Sequence, residues 1–313
     1  MALNGLNFLD AKEPKIIMFC GKGGVGKTTC ASTTAAHFAL KGKRTLLIST
    51  DPSPSLSDML ETNVLGDIRC VAPSLDAVEL DFDKIVGLWK TKFGEEVYEV
   101  VSSFLPVERD IVDYIAGAPG ISDEFALSYV YDLYVSGAYD VIVWDTAPAG
   151  GTLSLLKLED TFYTHLGEAA RLYVKVRTAL NALTQGKATD PLRIIGEWQQ
   201  LAQDVLGMIR DKGTVAIMVT IPEALGVNQT MRVSKELERF GVHVGGLVIN
   251  QVLTDEASGS QFIRSRMEMQ SAHIKALEEA FEEKVPLVQL PLQCFEVRGV
   301  DTLRKMERLL FPC

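Results

Sequence analysis

The sequence predicts an α/β fold: a parallel sheet carrying helices on both faces, with an α-helical subdomain inserted into it. Three observations predict it. Short apolar runs rich in β-branched residues recur along the chain, bounded by glycine, acidic or amide residues. Such runs mark strands buried on both faces, which belong to a parallel sheet. Helix-periodic segments alternate with the runs, and that alternation layers helices over the sheet. Two long stretches instead carry apolar residues three and four apart with no strand between them, as amphipathic helices do.

In chain order, 15–20 (KIIMFC) is the first strand; it runs into a glycine-rich loop, and 28–41 then reads as a helix. The run 45–50 (TLLIST) is the second strand and stops at Asp51. Within 83–114, Ile85, Trp89, Phe93, Val97, Val101 and Phe104 keep helical spacing. The third strand, 141–144 (VIVW), stops at Asp145. Helical spacing returns over 158–209, first at Leu158, Phe162, Leu166, Tyr173, Val176, Leu180 and Leu183. After a turn at 185–190 (QGKATD) it resumes at Ile195, Trp198, Leu201, Val205 and Ile209. Strands at 215–220 (VAIMVT) and 247–250 (LVIN) flank a helix at 229–240, and Gly150, Gly151 and Gly299 fall in loops. The α/β domain therefore takes 1–82, 115–157 and 210–313, and the helical subdomain takes 83–114 and 158–209. In open parallel sheets ligands sit beyond the carboxyl ends of the strands, where the polar residues of these runs lie.

Composition narrows the function. The chain has 313 residues and a formal charge of −10, from 31 basic and 41 acidic side chains. That balance disfavours a broad nucleic-acid surface, so no nucleic-acid partner is expected. No apolar run approaches the roughly 20 residues that span a bilayer. The opening MALNGLNFLDAKEPK lacks the pattern of a secretory signal, and the expected compartment is the cytoplasm. The 5 cysteines (Cys20, Cys30, Cys70, Cys294 and Cys313) are scattered and form no CxxC pair, so neither a disulfide framework nor a zinc site is expected.

The loop after the first strand reads GKGGVGKTT, residues 21–29. GxxxxGK[ST] between a buried strand and a helix is a phosphate loop. Backbone N–H groups of Gly23, Gly24, Val25 and Gly26 can converge on phosphate oxygens, because glycine allows close approach. Lys27 reaches the β- and γ-phosphates, Thr28 ligates Mg²⁺ and Thr29 donates to the α-phosphate. Phosphoryl transfer to water also needs charge neutralisation and an oriented nucleophile. Asp145 suits the Mg²⁺ shell, through water, and Asp51 suits the attacking water. Either carboxylate could instead cap a helix or close a turn. Lys22 is a second cation in the loop, placed to act on developing charge.

GKGGVGKTT resembles the deviant phosphate-loop signature of MinD-like, ParA-like, nitrogenase-iron-protein and arsenical-pump ATPases. STDPSPSLSD at 49–58 and DTAPAGGTLSLL at 145–156 resemble the two switches of the arsenical-pump and tail-anchored-protein-targeting ATPases. PGISDEFALS (119–128), PEALGVNQTMR (222–232), VINQ (248–251) and PLQCFEVRG (291–299) are similar to further motifs of that family, in the same order.

The resemblance implies a homodimeric ATPase using ATP and Mg²⁺. Lys22 would reach the partner's phosphates, which together with Gly21 completes the signature, and Asp51 would be catalytic. Glu223, Asn250 and the loop Pro291, Leu292, Gln293, Cys294, Phe295, Glu296, Val297 and Arg298 would hold the adenosine. In the targeting branch the inserted helices form a groove for the hydrophobic transmembrane segment of a client, and a membrane receptor is a further partner. Some positions depart from the pattern. The family's zinc-binding CxxC falls at Ser260 and Ile263, Pro54 and Gly151 replace switch histidines, and metalloid-binding cysteines have no equivalents. Met208 is nearly alone in the inserted helices, so a methionine-lined groove is not expected. Two other functions fit part of the pattern: the energising subunit of a metalloid pump, and a MinD-like positioning ATPase that holds membrane through the C-terminal DTLRKMERLLFPC.

Overall fold

Every side chain of the run Ile16–Gly21 (β1) is buried, and its neighbours explain why. It lies in the middle of an eight-stranded sheet built with Thr45–Ser49 (β2), Arg69–Ala72 (β3), Leu75–Glu79 (β4) and Val141–Asp145 (β5). Thr214–Thr220 (β6), Val244–Val252 (β7) and Leu287–Pro291 (β8) complete it, in the order β3-β4-β2-β5-β1-β6-β7-β8. The computed structural model describes residues 5–51, 53, 55–103, 105–118, 121–147, 191–254, 260–281 and 284–312. All neighbouring strands pair in parallel except the edge strand β3, which runs antiparallel to β4.

The described helices are Phe8–Lys12 (α1), Lys27–Leu40 (α2), Leu56–Leu60 (α3), Phe82–Ser102 (α4), Ile111–Ala116 (α5) and Ile121–Ser136 (α6). Pro191–Arg210 (α7), Ala224–Arg239 (α8), Gln261–Phe281 (α9) and Gly299–Leu310 (α10) follow. All five expected strands form, and the architecture is the predicted α/β one. Three strands escape the sequence reading for physical reasons. β4 (LDAVE) and β8 (LVQLP) interleave polar residues, and β3 is a half-exposed edge. Gly299 is corrected: it opens α10 at φ 71°, a backbone that favours glycine, and is not in a loop. The stretch 83–114 divides into α4 and α5; Phe104 and the residues from Leu158 to Leu183 lie outside the described ones, as do Gly150, Gly151 and the 185–190 turn. No described helix is long and apolar enough to cross a membrane.

Contacts divide the chain into two compact units. The first unit joins the sheet to α1, α2, α3, α8, α9 and α10, and its core includes Ile17, Phe19, Leu47, Val143 and Ile217. Each such side chain, fully buried, contributes about 1.5–3 kcal/mol. At the far end of α2, His37 is buried between Asp10 (3.1 Å) and Glu307 (2.7 Å) and stacks on Phe311 with ring centroids 3.6 Å apart. This cluster ties the first and last helices to the helix that follows the phosphate loop.

The second unit takes 81–132 and 154–209, of which 191–209 is described beyond α6. Asp81 starts α4 by accepting the N–H of Asp83 at 2.9 Å, an N-cap. The first part of α6 packs here, with Phe125 edge-on to Phe93 at 6.1 Å, so 115–132 belongs to this unit and not, as expected from the sequence, to the α/β domain. Trp198 of α7 donates its indole N–H to Glu96 of α4 at 2.7 Å. Between these helices lies a cavity of about 220 Å³ whose wall, among the described residues, includes Trp89, Phe93, Val97, Phe125, Trp198 and Leu201, with the Ser128 hydroxyl also on it.

Candidate functional site

At the carboxyl end of β1 the chain must turn sharply into α2, and two glycines make the turn. Gly24 (φ 77°) and Gly26 (φ 96°) hold left-handed backbone. Gly26 caps α2 with no side-chain acceptor, which leaves its first N–H groups facing a cavity of about 810 Å³. Gly21 needs its missing side chain for packing: a Cβ there would meet the Val219 carbonyl at 2.2 Å. Lys27 is buried, and its ammonium donates to the Lys22 carbonyl at 3.4 Å.

Thr28, in the first turn of α2, donates its hydroxyl to Asp145 Oδ2 at 2.6 Å, and the Ser55 hydroxyl lies 3.4 Å from Thr28 Oγ1. Asp145 ends β5 and is fully buried, joined to the cavity wall through Thr28. Burial pushes its carboxyl up to about 6; nearby Asp51 and Glu79 add to the rise, and Thr28 and Lys27 oppose it. Its Oδ1 is buried with no hydrogen-bond partner among the described residues. A carboxylate bonded to the Thr28 hydroxyl, which the Ser55 hydroxyl approaches in turn, is a hard-oxygen donor set of the kind Mg²⁺ takes alongside phosphates. These residues fit the cation.

Asp51 lines the cavity. Its Oδ1 accepts the Ser53 N–H at 2.9 Å, and its own N–H donates to Ser49 Oγ at 3.3 Å. The carboxylate thus closes a turn, on a residue that lines the cavity. Asn250, on β7, donates its amide to the Val25 carbonyl at 2.8 Å and accepts the Gln251 N–H, bracing the phosphate loop. Each amide atom keeps a further bonding position for a base.

Gly23, Gly24, Gly26, Lys27, Thr28 and Thr29 share the cavity wall with Asn250, Pro291, Leu292, Gln293, Phe295, Glu296, Val297 and Arg298. The wall does not include Gly21, Lys22, Val25, Asp145, Cys294 or Glu223; Asp145 lies behind it, reached through Thr28. Glu223 instead pairs with Arg266 of α9 at 2.9 Å. Ser260 Oγ accepts the Ile263 N–H at 3.2 Å and caps the start of α9. The wall also carries Ser53, Ser55, Asp58, Met59, Gln251 and Met306, none of them among the sequence candidates, and Glu79 behind it was not one either. Ser55 lies inside the quoted switch motif; Glu79 ends a strand whose alternating pattern hid it.

A family model described as anion-transporting ATPase, ArsA_ATPase, matches residues 14–312. The chain belongs to this family. It is therefore an ATPase, and the cavity is where its phosphate-loop residues meet. Among similar proteins, "Putative arsenical pump-driving ATPase 2" of Aquifex aeolicus is 29% identical across 95% of this chain and 99% of its own length. "ATPase GET3" of Komagataella phaffii is 32% identical, covering 95% of this chain and 89% of that protein. "ATPase GET3C" of Arabidopsis thaliana is 30% identical across 97% and 84%.

Proposed function

We propose that the chain hydrolyses ATP with Mg²⁺ as a homodimer and uses that cycle to bind and release the hydrophobic transmembrane segment of tail-anchored client proteins, delivering them to a membrane receptor. The observation that carries this reading is the cavity of the helical unit, walled by tryptophan, phenylalanine and aliphatic side chains. Such a wall suits a segment that water and polar ligands do not satisfy. The two switch motifs and the GET3 relatives support the same function.

The residue roles follow from their positions. N–H groups at the start of α2 take phosphate oxygens, and Lys27 neutralises them. Thr28 and Asp145 would hold the cation, which when bound supplies charge neutralisation on the phosphates. Asp51, on the cavity wall, orients the attacking water. Lys22 lies in the loop but outside its own cavity's wall, which supports a charge offered to a second copy. Asn250 and the 291–298 loop hold the adenosine, with Phe295 and Met306 as its apolar contacts. The domain division into a nucleotide-binding part and a client-binding part belongs to the same proposal.

The test is a photocrosslinking side chain at Leu201, offered a hydrophobic segment peptide with ATP present. An adduct at Leu201 is expected. No adduct there, with one formed elsewhere or nowhere, would remove the client-binding role. A second reading, the energising subunit of a metalloid pump, is favoured by the name of the Aquifex aeolicus relative. It predicts that arsenite or antimonite stimulates ATP turnover.

A further inference from the structure

Resting on the assignment of ATP hydrolysis to this cavity, we propose that Glu79 is a positioning residue for that reaction. Glu79, Ser49 and Asp145 form one register row across β4, β2 and β5, and each is 0–1% exposed. The row holds the loops of the site at three points. Asp145 takes the Thr28 hydroxyl of the phosphate loop, and Ser49 Oγ takes the Asp51 N–H. Glu79 takes the far end of the switch loop: Oε1 accepts the N–H groups of Ser55 (2.7 Å) and Leu56 (2.9 Å). Its Oε2 accepts the N–H (3.3 Å) and the hydroxyl (2.8 Å) of Ser57.

A buried carboxylate persists only when its oxygens are satisfied, and four donors satisfy this one. Three of them are N–H groups at the start of α3, which has no side-chain cap of its own. The segment held in this way carries Asp51, Ser53, Ser55 and Asp58 on the cavity wall, and Ser55 Oγ within 3.4 Å of Thr28 Oγ1. Glu79 is not on that wall, so it acts through the loop. Its strand fixes where the loop sits relative to Thr28, because neighbouring strands are held about 4.8 Å apart.

The experiment compares the full-length parent, Glu79→Gln and Ser57→Ala with ATP and Mg²⁺. The glutamine keeps the volume but sets a donor against the Ser57 N–H. Expected for Glu79→Gln is a kcat lowered by about ten- to a hundredfold. Its KM for ATP should stay within about threefold. Amide hydrogen exchange should speed up at 55–57 and stay at the parent rate along α2. An unchanged kcat overturns the proposal, as does unchanged exchange at 55–57 or a loss carried by KM alone. If Glu79→Gln does not fold, Ser57→Ala decides: kcat should fall about threefold or more, and a parental kcat overturns the proposal. A parent with no ATP turnover would instead defeat the assignment of the cavity, and the parent's own rate separates the two failures.

Discussion

Gly26 sits at φ 96°, and a Cβ there would come within 2.3 Å of Asn250 Nδ2. Gly26→Ala adds about 1–2 kcal/mol of backbone strain and pushes away the amide that braces the loop. It should melt at a lower temperature and lose nucleotide binding, read by thermal unfolding and by titration with a fluorescent ATP analogue. Asp145→Asn keeps the shape of the site but removes the anionic oxygen with no partner among the described residues. Turnover should fall by about a hundredfold or more, with affinity lost for ATP plus Mg²⁺ and retained for ATP without the metal. Equal loss in both conditions would mean that Asp145 serves the fold alone. At this scale the phosphate loop and Asp145 were legible, because a fixed spacing and a strand end mark them. Glu79 was not, because its partners Ser55, Leu56 and Ser57 lie 22–24 residues earlier in the chain. Only strand pairing brings them together.

Between elements, the start of β2 and the approach to β5 are tied by Arg44 and Asp140. Side-chain and backbone hydrogen bonds from Arg44 hold the Asp140 carboxyl down to about 2, against an ordinary 3.8. A depressed carboxyl stabilises the fold fully above its unfolded value, and the contribution is lost as pH falls through the folded one. Asp140→Asn should therefore flatten the fall of melting temperature from about pH 4 to about pH 2. An identical slope in parent and variant would show that the pair contributes nothing, as many exposed pairs do. The buried strands were legible because both of their faces are apolar. β3, β4 and β8 were not, since edge position and interleaved polar residues erase that pattern. In the helical unit the spacing of Trp89, Phe93 and Val97 was read correctly as one face. That this face encloses a cavity depends on α6, whose apolar residues are spread around the helix and give no period.

Across the whole molecule, the proposal joins two chemistries held in different units: an oxygen-rich phosphate site and an apolar cavity. A homodimer with Lys22 reaching its partner predicts that Lys22→Ala lowers both turnover and ATP-dependent dimerisation. Sedimentation with and without ATP would check it, and loss of neither would make the lysine a local residue. The coupling itself is tested most directly by Asp51→Asn, which should bind ATP without hydrolysing it. The decisive measurement is retention of a hydrophobic segment peptide through gel filtration, for parent and Asp51→Asn, each with ATP and Mg²⁺. The variant should keep the peptide while the parent releases it as ATP is consumed. Equal retention by both chains, unaffected by nucleotide, would contradict it.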